Sequence, residues 1–151
     1  MRLCSHILGV DTIFKSVYSV GYKFDHLGVG KMDGRNTLSG AEAMVQMLRA
    51  YDVRHIFGLC GDTTLPLYDA LAQMDHGITH LLTRDERHAG YMADAYARVT
   101  NRPGICEGPS GGGATYILPG VVEANESSIP IMAITSDVAT TSRGRYPLTE
   151  L

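Results

Sequence analysis

Glu86 lies in the chain's densest run of ionisable side chains, Arg84-Asp-Glu-Arg-His88, just after a short apolar stretch and at the start of a helical pattern. Two readings of it are open. An acid in a helix's first turn is favoured by the macrodipole. A carboxyl partly buried at a strand end can instead exchange a proton with a ligand nitrogen. The second candidate is the glycine-rich run Gly108-Pro-Ser-Gly-Gly-Gly-Ala-Thr115. Free amides at such a strand-to-helix turn attract anions. No Gly-Lys-Ser/Thr follows, and from Gly111 and Gly113 the third position of a GxGxxG fingerprint falls on Tyr116, so neither nucleotide motif is present. A tight turn that brings a helix close to a sheet, or a flat backbone surface against a planar ligand or a neighbouring subunit, fits equally well. Cys60 sits between Gly58 and Gly61 in a turn and is expected to pack. No group of Cys, His, Asp and Glu has metal-ligand spacing.

The elements that must position these residues follow in regular order. Ser39-Gly-Ala-Glu42 has the form of a capping box, with Ala43, Met44, Met47 and Leu48 behind it at helical spacing to about Tyr51. His55–Leu59 reads as a buried strand and Gly61–Thr64 as a loop. Pro66 opens a helix with Leu67, Leu71 and Met74 on one face. A second strand is predicted over Ile78–Leu82. A third helix follows over Glu86–Val99, with Tyr91, Ala95 and Val99 at four-residue spacing. The next strand starts at Pro103–Cys106. A helix over Ala114–Asn125 kinks at Pro119, and Ile129–Thr135 forms a strand buried on both sides. This alternation predicts an α/β fold, a doubly wound, mostly parallel sheet with helices on both faces. Ligands of such sheets bind beyond the carboxyl ends of the strands, where Leu59–Thr64, Thr83–His88 and Glu107–Gly113 fall. The sheet is expected to be cut short at its C-terminus.

Composition narrows the function classes. The net charge of -3 and pI near 6.0 argue against a nucleic-acid partner held by a basic surface. No apolar run reaches the ~18 residues of a membrane span. Cys4, Cys60 and Cys106 are too sparse for a disulfide framework and suit reduced thiols in a cytoplasmic protein. Residues 1–31 carry Arg2, Lys15, Lys23 and Lys31 against Asp11 and Asp25, unlike the acidic remainder. The domain is therefore placed at 37–151, with 1–36 as a leader; Met32 is the expected native start and 1–31 an upstream extension.

Four segments in register carry a resemblance. Ile56-Phe-Gly-Leu-Cys-Gly61 with Leu65-Pro-Leu-Tyr-Asp-Ala-Leu71 resembles the FGxPG…PLYDAL opening of thiamin-diphosphate-dependent enzymes. The segment Arg84–Arg98 resembles their HEQxAxxMAxGYAR run, Pro109–Thr115 their TSGPGAT loop, and Ser128–Thr135 their next strand. Order and spacing are similar to the acetolactate-synthase-like branch, over about Leu38–Leu151.

The resemblance implies an N-terminal pyrimidine-binding domain. In that family one carboxylate hydrogen-bonds the aminopyrimidine N1′, favouring the tautomer that deprotonates the thiazolium carbon, and Glu86 aligns with it. Gly58, Cys60 and Gly61 match the turn near the pyrimidine. Ser110, Gly111 and Gly112 match the loop along the active-site and subunit boundary. The implied activity is carboligation or decarboxylation of a small 2-keto acid. Mg and the diphosphate would be held by a pyrophosphate-binding domain whose GDG…N motif this chain lacks, and homo-oligomers would form through the pyrimidine domain. FAD, carried by some relatives in a middle domain, gains no support from these residues. The chain departs from the pattern at Cys60 (usually Pro), Asp62 (often Gly), Gly112 (Pro), Tyr116 (Asn) and Thr149, where acetolactate synthases carry Gln. Alone, the chain is expected to be inactive. The alternatives are a subunit of a split decarboxylase and a non-catalytic assembly module.

Overall fold

The computed structural model describes residues 37–145, 147, 149 and 150; the leader expectation for 1–36, and Cys4 with it, lies outside them. Four parallel strands form one sheet: β1 (His55–Gly58), β2 (Thr79–Leu82), β3 (Gly104–Gly108) and β4 (Ile131–Thr135), in the order β2-β1-β3-β4. Helices α1 (Gly40–Ala50), α2 (Leu65–Gln73), α3 (Glu86–Thr100), α4 (Gly112–Tyr116) and α5 (Leu118–Glu126) connect and cover them. Parallel neighbours need such crossovers, and the helices bury the sheet's two faces.

Strand alternation divides the core. Ile56, Ile78 and Ile105 face Leu48 of α1 and Leu71 of α2, while Phe57 and Cys106 face Ala89 and Ala93 of α3 and Ile117. Helix α1 starts as its sequence dictates: the Ser39 hydroxyl accepts from the Glu42 amide, and the Glu42 carboxylate accepts from the Ser39 amide at 2.6 Å. Pro66 lies in the first turn of α2.

Three expectations are corrected. The stripe Tyr91, Ala95 and Val99 points to solvent; the buried face of α3 is Ala89, Gly90, Ala93, Asp94 and Ala97. The reason is steric. At the crossing of α3 with α5 the backbones touch, and a Cβ on Gly120 would stand 2.5 Å from the Tyr91 nitrogen and 2.6 Å from the Gly90 Cα. Only small residues fit there. Second, the expected helix with a kink at Pro119 is two helices, α4 and α5, parting at the buried Ile117, with Pro119 in the first turn of α5. Third, β4 is half-buried, because it forms an edge of the described sheet; so does β2, whose Leu82 is 68% exposed.

Candidate functional site

The carboxyl ends of the strands bring the predicted segments together. After β1 come Leu59–Gly61 and a 3-10 turn, Asp62–Thr64, in which the Gly61 amide donates to the Thr64 hydroxyl. After β2 comes Thr83, whose amide donates to the Gly58 carbonyl at 2.8 Å. After β3 comes Pro109–Gly111. The Ser110 amide donates to the Thr63 hydroxyl at 2.9 Å, and the Ser136 hydroxyl beyond β4 bonds the same oxygen at 2.7 Å. Gly111 has φ +68°, a conformation that glycine adopts without strain, and it turns the chain into α4.

Glu86 is half-buried at the first position of α3. The capping role falls to its neighbour: the Asp85 carboxylate accepts from the Arg87 amide at 2.9 Å and pairs with the Arg87 guanidinium at 2.6 Å. That pairing holds the Asp85 carboxyl well below the usual carboxylate range. The Arg87 guanidinium also stacks over the Tyr116 ring at 5.9 Å. Glu86 forms no hydrogen bond or ion pair among the described residues. Its side chain lies against two glycines. A Cβ on Gly113 would stand 3.1 Å from Glu86 Oε1, and one on Gly108 would stand 3.5 Å from its Cγ. Two buried hydroxyls at this edge, Thr83 Oγ1 and Ser110 Oγ, have no hydrogen-bond partner.

The other predicted residues divide. Gly61 packs on Pro109, joining the first and third segments. Gly112 opens α4 and is exposed. Cys60 is exposed rather than packed, because its turn projects past the end of β1. Gly58 is not in a turn: it ends β1 inside the ladder, and a Cβ there would meet the Glu107 side chain, 2.5 Å from its Cδ. Thr149 lies over Gly111, its Cα 3.3 Å from where a Cβ would be.

Glu107 is the residue that reading by motif overlooks. It has no solvent exposure, in a strand buried throughout. Its carboxylate Oε1 accepts from the Tyr68 hydroxyl of α2, and His80 Nε2 of β2 lies 3.3 Å away. Tyr68 and His80 are themselves 2.8 Å apart. Since the tyrosine's one proton goes to Glu107, the imidazole N–H must donate to the phenol oxygen, which fixes the tautomer. Burial, then the Glu107 carboxylate, pushes the Tyr68 hydroxyl above its ordinary range, so it stays a donor. The available signal in sequence was a lone acid inside an otherwise apolar strand. Among the described residues no cluster of His, Cys, Asp and Glu could hold a metal, and no helix is long and apolar enough to cross a membrane.

Comparison with known proteins gives the family of the chain. Residues 38–151 match the family model described as thiamine pyrophosphate enzyme, N-terminal TPP binding domain. The chain is 43% identical over 114 residues to a "Probable acetolactate synthase large subunit" of Methanococcus aeolicus, covering 76% of this chain and 19% of that one. It is 43% identical over 102 residues to the acetolactate synthase isozyme 2 large subunit of Escherichia coli K12, covering 68% and 18%. It is 40% identical over 114 residues to a "Probable 2-ketoarginine decarboxylase" of Pseudomonas aeruginosa, covering 76% and 20%. The chain thus spans about a fifth of the length of these relatives. With the matched region running from the first described helix through the glycine loop and beyond, the chain belongs to the thiamine pyrophosphate enzymes of the acetolactate-synthase-like branch, as an N-terminal TPP binding domain.

Proposed function

We propose that this chain supplies the pyrimidine-binding side of the cofactor site in a thiamin-diphosphate-dependent carboligase or decarboxylase of small 2-keto acids, with Glu86 as the carboxylate that meets the aminopyrimidine N1′. The observation that carries the reading is the Glu86 carboxylate itself. It is half-buried at a strand end, relieved of capping by Asp85, without a protein partner, and set in a cradle that a Cβ on Gly113 would crowd. A ring nitrogen fits such a group, because a protonated carboxyl donates to the unprotonated nitrogen and the carboxylate accepts from the protonated one, so the proton can pass between them.

The bound coenzyme supplies the electron sink for the keto acid's carbon–carbon cleavage. The chain's own part is to hold a proton at Glu86 against the ring nitrogen and to keep that carboxyl clear of competing donors. Gly108 and Gly113 keep space beside it, and the Thr83 and Ser110 hydroxyls offer two further buried groups at the same edge. In this reading Cys60, Gly61, Ser110, Gly111 and Gly112 line the approach as backbone more than as side chains, while Gly58 lies behind them inside the ladder. Mg and the diphosphate are assigned in this reading to a pyrophosphate-binding domain, in the same protein or a separate chain, that completes the site. Tyr91, Met92, Leu118 and Val122 expose apolar surface on α3 and α5, which supports self-association through this domain. Thr149 lies over the glycine loop where the acetolactate synthases of the resemblance carry Gln, so the reading is kept to carboligation or decarboxylation and does not extend to acetolactate synthesis itself. The reduced Cys60 and Cys106 suit the cytoplasm.

The test is a chimera in which residues 38–151 replace the matching segment of the Escherichia coli enzyme. Pyruvate consumption is expected in the chimera and not in the isolated chain. Glu86→Gln in the chimera should lower kcat ~10²–10⁴-fold, the range for a lost acid–base group. A chimera that folds, binds thiamin diphosphate and loses less than about threefold with Glu86→Gln refutes the role.

A further inference from the structure

The site is flanked on the opposite face of the sheet by a buried polar group that the reading above does not use. Glu107 pairs in register with Gly58, and its carboxylate fills the space that a side chain at 58 would need. It is held from two directions, by Tyr68 on α2 and His80 on β2, whose rings meet edge to face at 4.8 Å. Burying a carboxylate among core residues is costly, and replacing such a group with an apolar side chain of similar volume is often neutral or stabilising. Stability therefore gives a weak reason for its presence. Its location gives a better one. Glu107 immediately precedes Gly108, where the loop that cradles Glu86 begins, and Gly58 immediately precedes the Leu59–Gly61 turn. Tyr68 lies in the first turn of α2, directly after the 3-10 turn whose Thr63 binds the Ser110 amide.

We propose that Glu107 is a positioning residue: gripped by Tyr68 and His80, it pins the Leu59–Gly61 turn and the Pro109–Gly111 loop in fixed relation at the edge where the cofactor binds. The pin rests on the cofactor reading for its purpose, but its physical action is separate and can be measured without ligand. Two amides report on it, those of Gly61 and Ser110, each bonded to a threonine hydroxyl within these loops. The carboxylate oxygen not bonded to Tyr68, Oε2, is buried without a partner, so glutamine, which keeps one acceptor and the shape, is the conservative variant.

The experiment is amide hydrogen exchange on the chain, resolved by residue, with Glu107→Leu, Glu107→Gln and Tyr68→Phe. In Glu107→Leu, Tyr68 and His80 can still bond one another, so the fold should persist and the ladder amides of β1 and β3 should keep wild-type protection. Gly61 and Ser110 should exchange at least ~10-fold faster, as expected when local opening becomes easier. Tyr68→Phe should accelerate the same two amides, and Glu107→Gln should restore them to within about threefold of wild type. The proposal is overturned if those amides stay at wild-type rates in Glu107→Leu, or if they accelerate only together with the ladder amides. Should Glu107→Leu fail to fold, Tyr68→Phe decides alone on the same two amides. Adding thiamin diphosphate is a separate arm. This arm uses the chimera, in which a pyrophosphate-binding domain completes the site: loops pinned as described but indifferent to the coenzyme there would refute the cofactor reading and leave the pin standing.

Discussion

Alanine at Gly120 should destabilise the chain even though it improves local helix propensity. The added Cβ would lie 2.5 Å from the Tyr91 nitrogen and 2.6 Å from the Gly90 Cα, both backbone atoms that no rotamer change can move. Carbon contacts are comfortable from ~3.5 Å, so α3 and α5 must part by about 1 Å at the crossing. A gap of that size forfeits a quarter to a half of the dispersion energy of the contacts it opens. Ala89 of α3 and Ala124 of α5 have no solvent exposure, so the two helices have buried packing to lose. Overpacking of this kind costs about 1–3 kcal/mol. Glycine to alanine returns at most the ~1 kcal/mol of a helix interior, since Gly120 is only the third residue of α5. Because the obstruction is backbone, the upper part of the overpacking range applies, and the net loss should be about 2 kcal/mol. For a domain of this size that lowers Tm by roughly 8 °C. Urea unfolding followed by circular dichroism measures it, with Gly40→Ala as the control, since nothing lies within 4 Å of a Cβ there. A Gly120→Ala chain as stable as wild type, with Gly40→Ala unchanged or stabilised, would show that the helices do not meet backbone to backbone.

Two further outcomes follow from electrostatics and burial. Asp85 is held below the ordinary carboxylate range by Arg87, so its pairing favours the folded state above the unfolded value of ~3.9 and that advantage is lost as pH falls through the folded value. Asp85→Asn, which still caps α3, should therefore flatten the acid limb of stability below about pH 4, and an unchanged limb would exclude this residue as its source. Burial pushes the Cys106 thiol up to about 12, whereas Cys60 is exposed. A thiol reagent at neutral pH, mapped by mass spectrometry, should label Cys60 in the native chain and Cys106 only on unfolding, and early labelling of Cys106 would contradict the packed α3 face.

Much of this architecture is legible in sequence where the signal is local. The Ser39–Glu42 box, Pro66 in a first turn and the start of α3 at Glu86 depend on a few adjacent residues, and the structure bears them out. The signals that failed were tertiary. Four-residue spacing of Tyr91, Ala95 and Val99 marked the helix but not its inner face, which the close crossing at Gly90 and Gly120 limits to small side chains. The apolar run of β4 read as doubly buried, and burial depends on neighbours that a run of residues does not reveal. At the site, motif spacing found Glu86 and the glycine loop but not Glu107, Tyr68 and His80, which lie 39, 12 and 27 residues apart in pairs. Only the sheet register and the absence of a side chain at Gly58 join them.

The glycines connect these observations, because the same composition serves three separate demands for space. At Gly90 and Gly120 the missing side chains let α3 lie directly on α5, which fixes the helix that begins with Glu86. At Gly108 and Gly113 they leave the Glu86 carboxyl uncrowded on one face of β3. At Gly58 the missing side chain admits Glu107 on the other face. The two acids are thus positioned by opposite means. Among the described residues Glu86 has no hydrogen-bond partner, whereas Glu107 Oε1 accepts from Tyr68 and has His80 Nε2 3.3 Å away. A carboxylate kept for a ligand must have no competing donor, whereas one that aligns its surroundings must have its donors supplied by the fold. The roles proposed for Glu86 and Glu107 therefore rest on their hydrogen-bond partners, where residue type alone would make them equivalent.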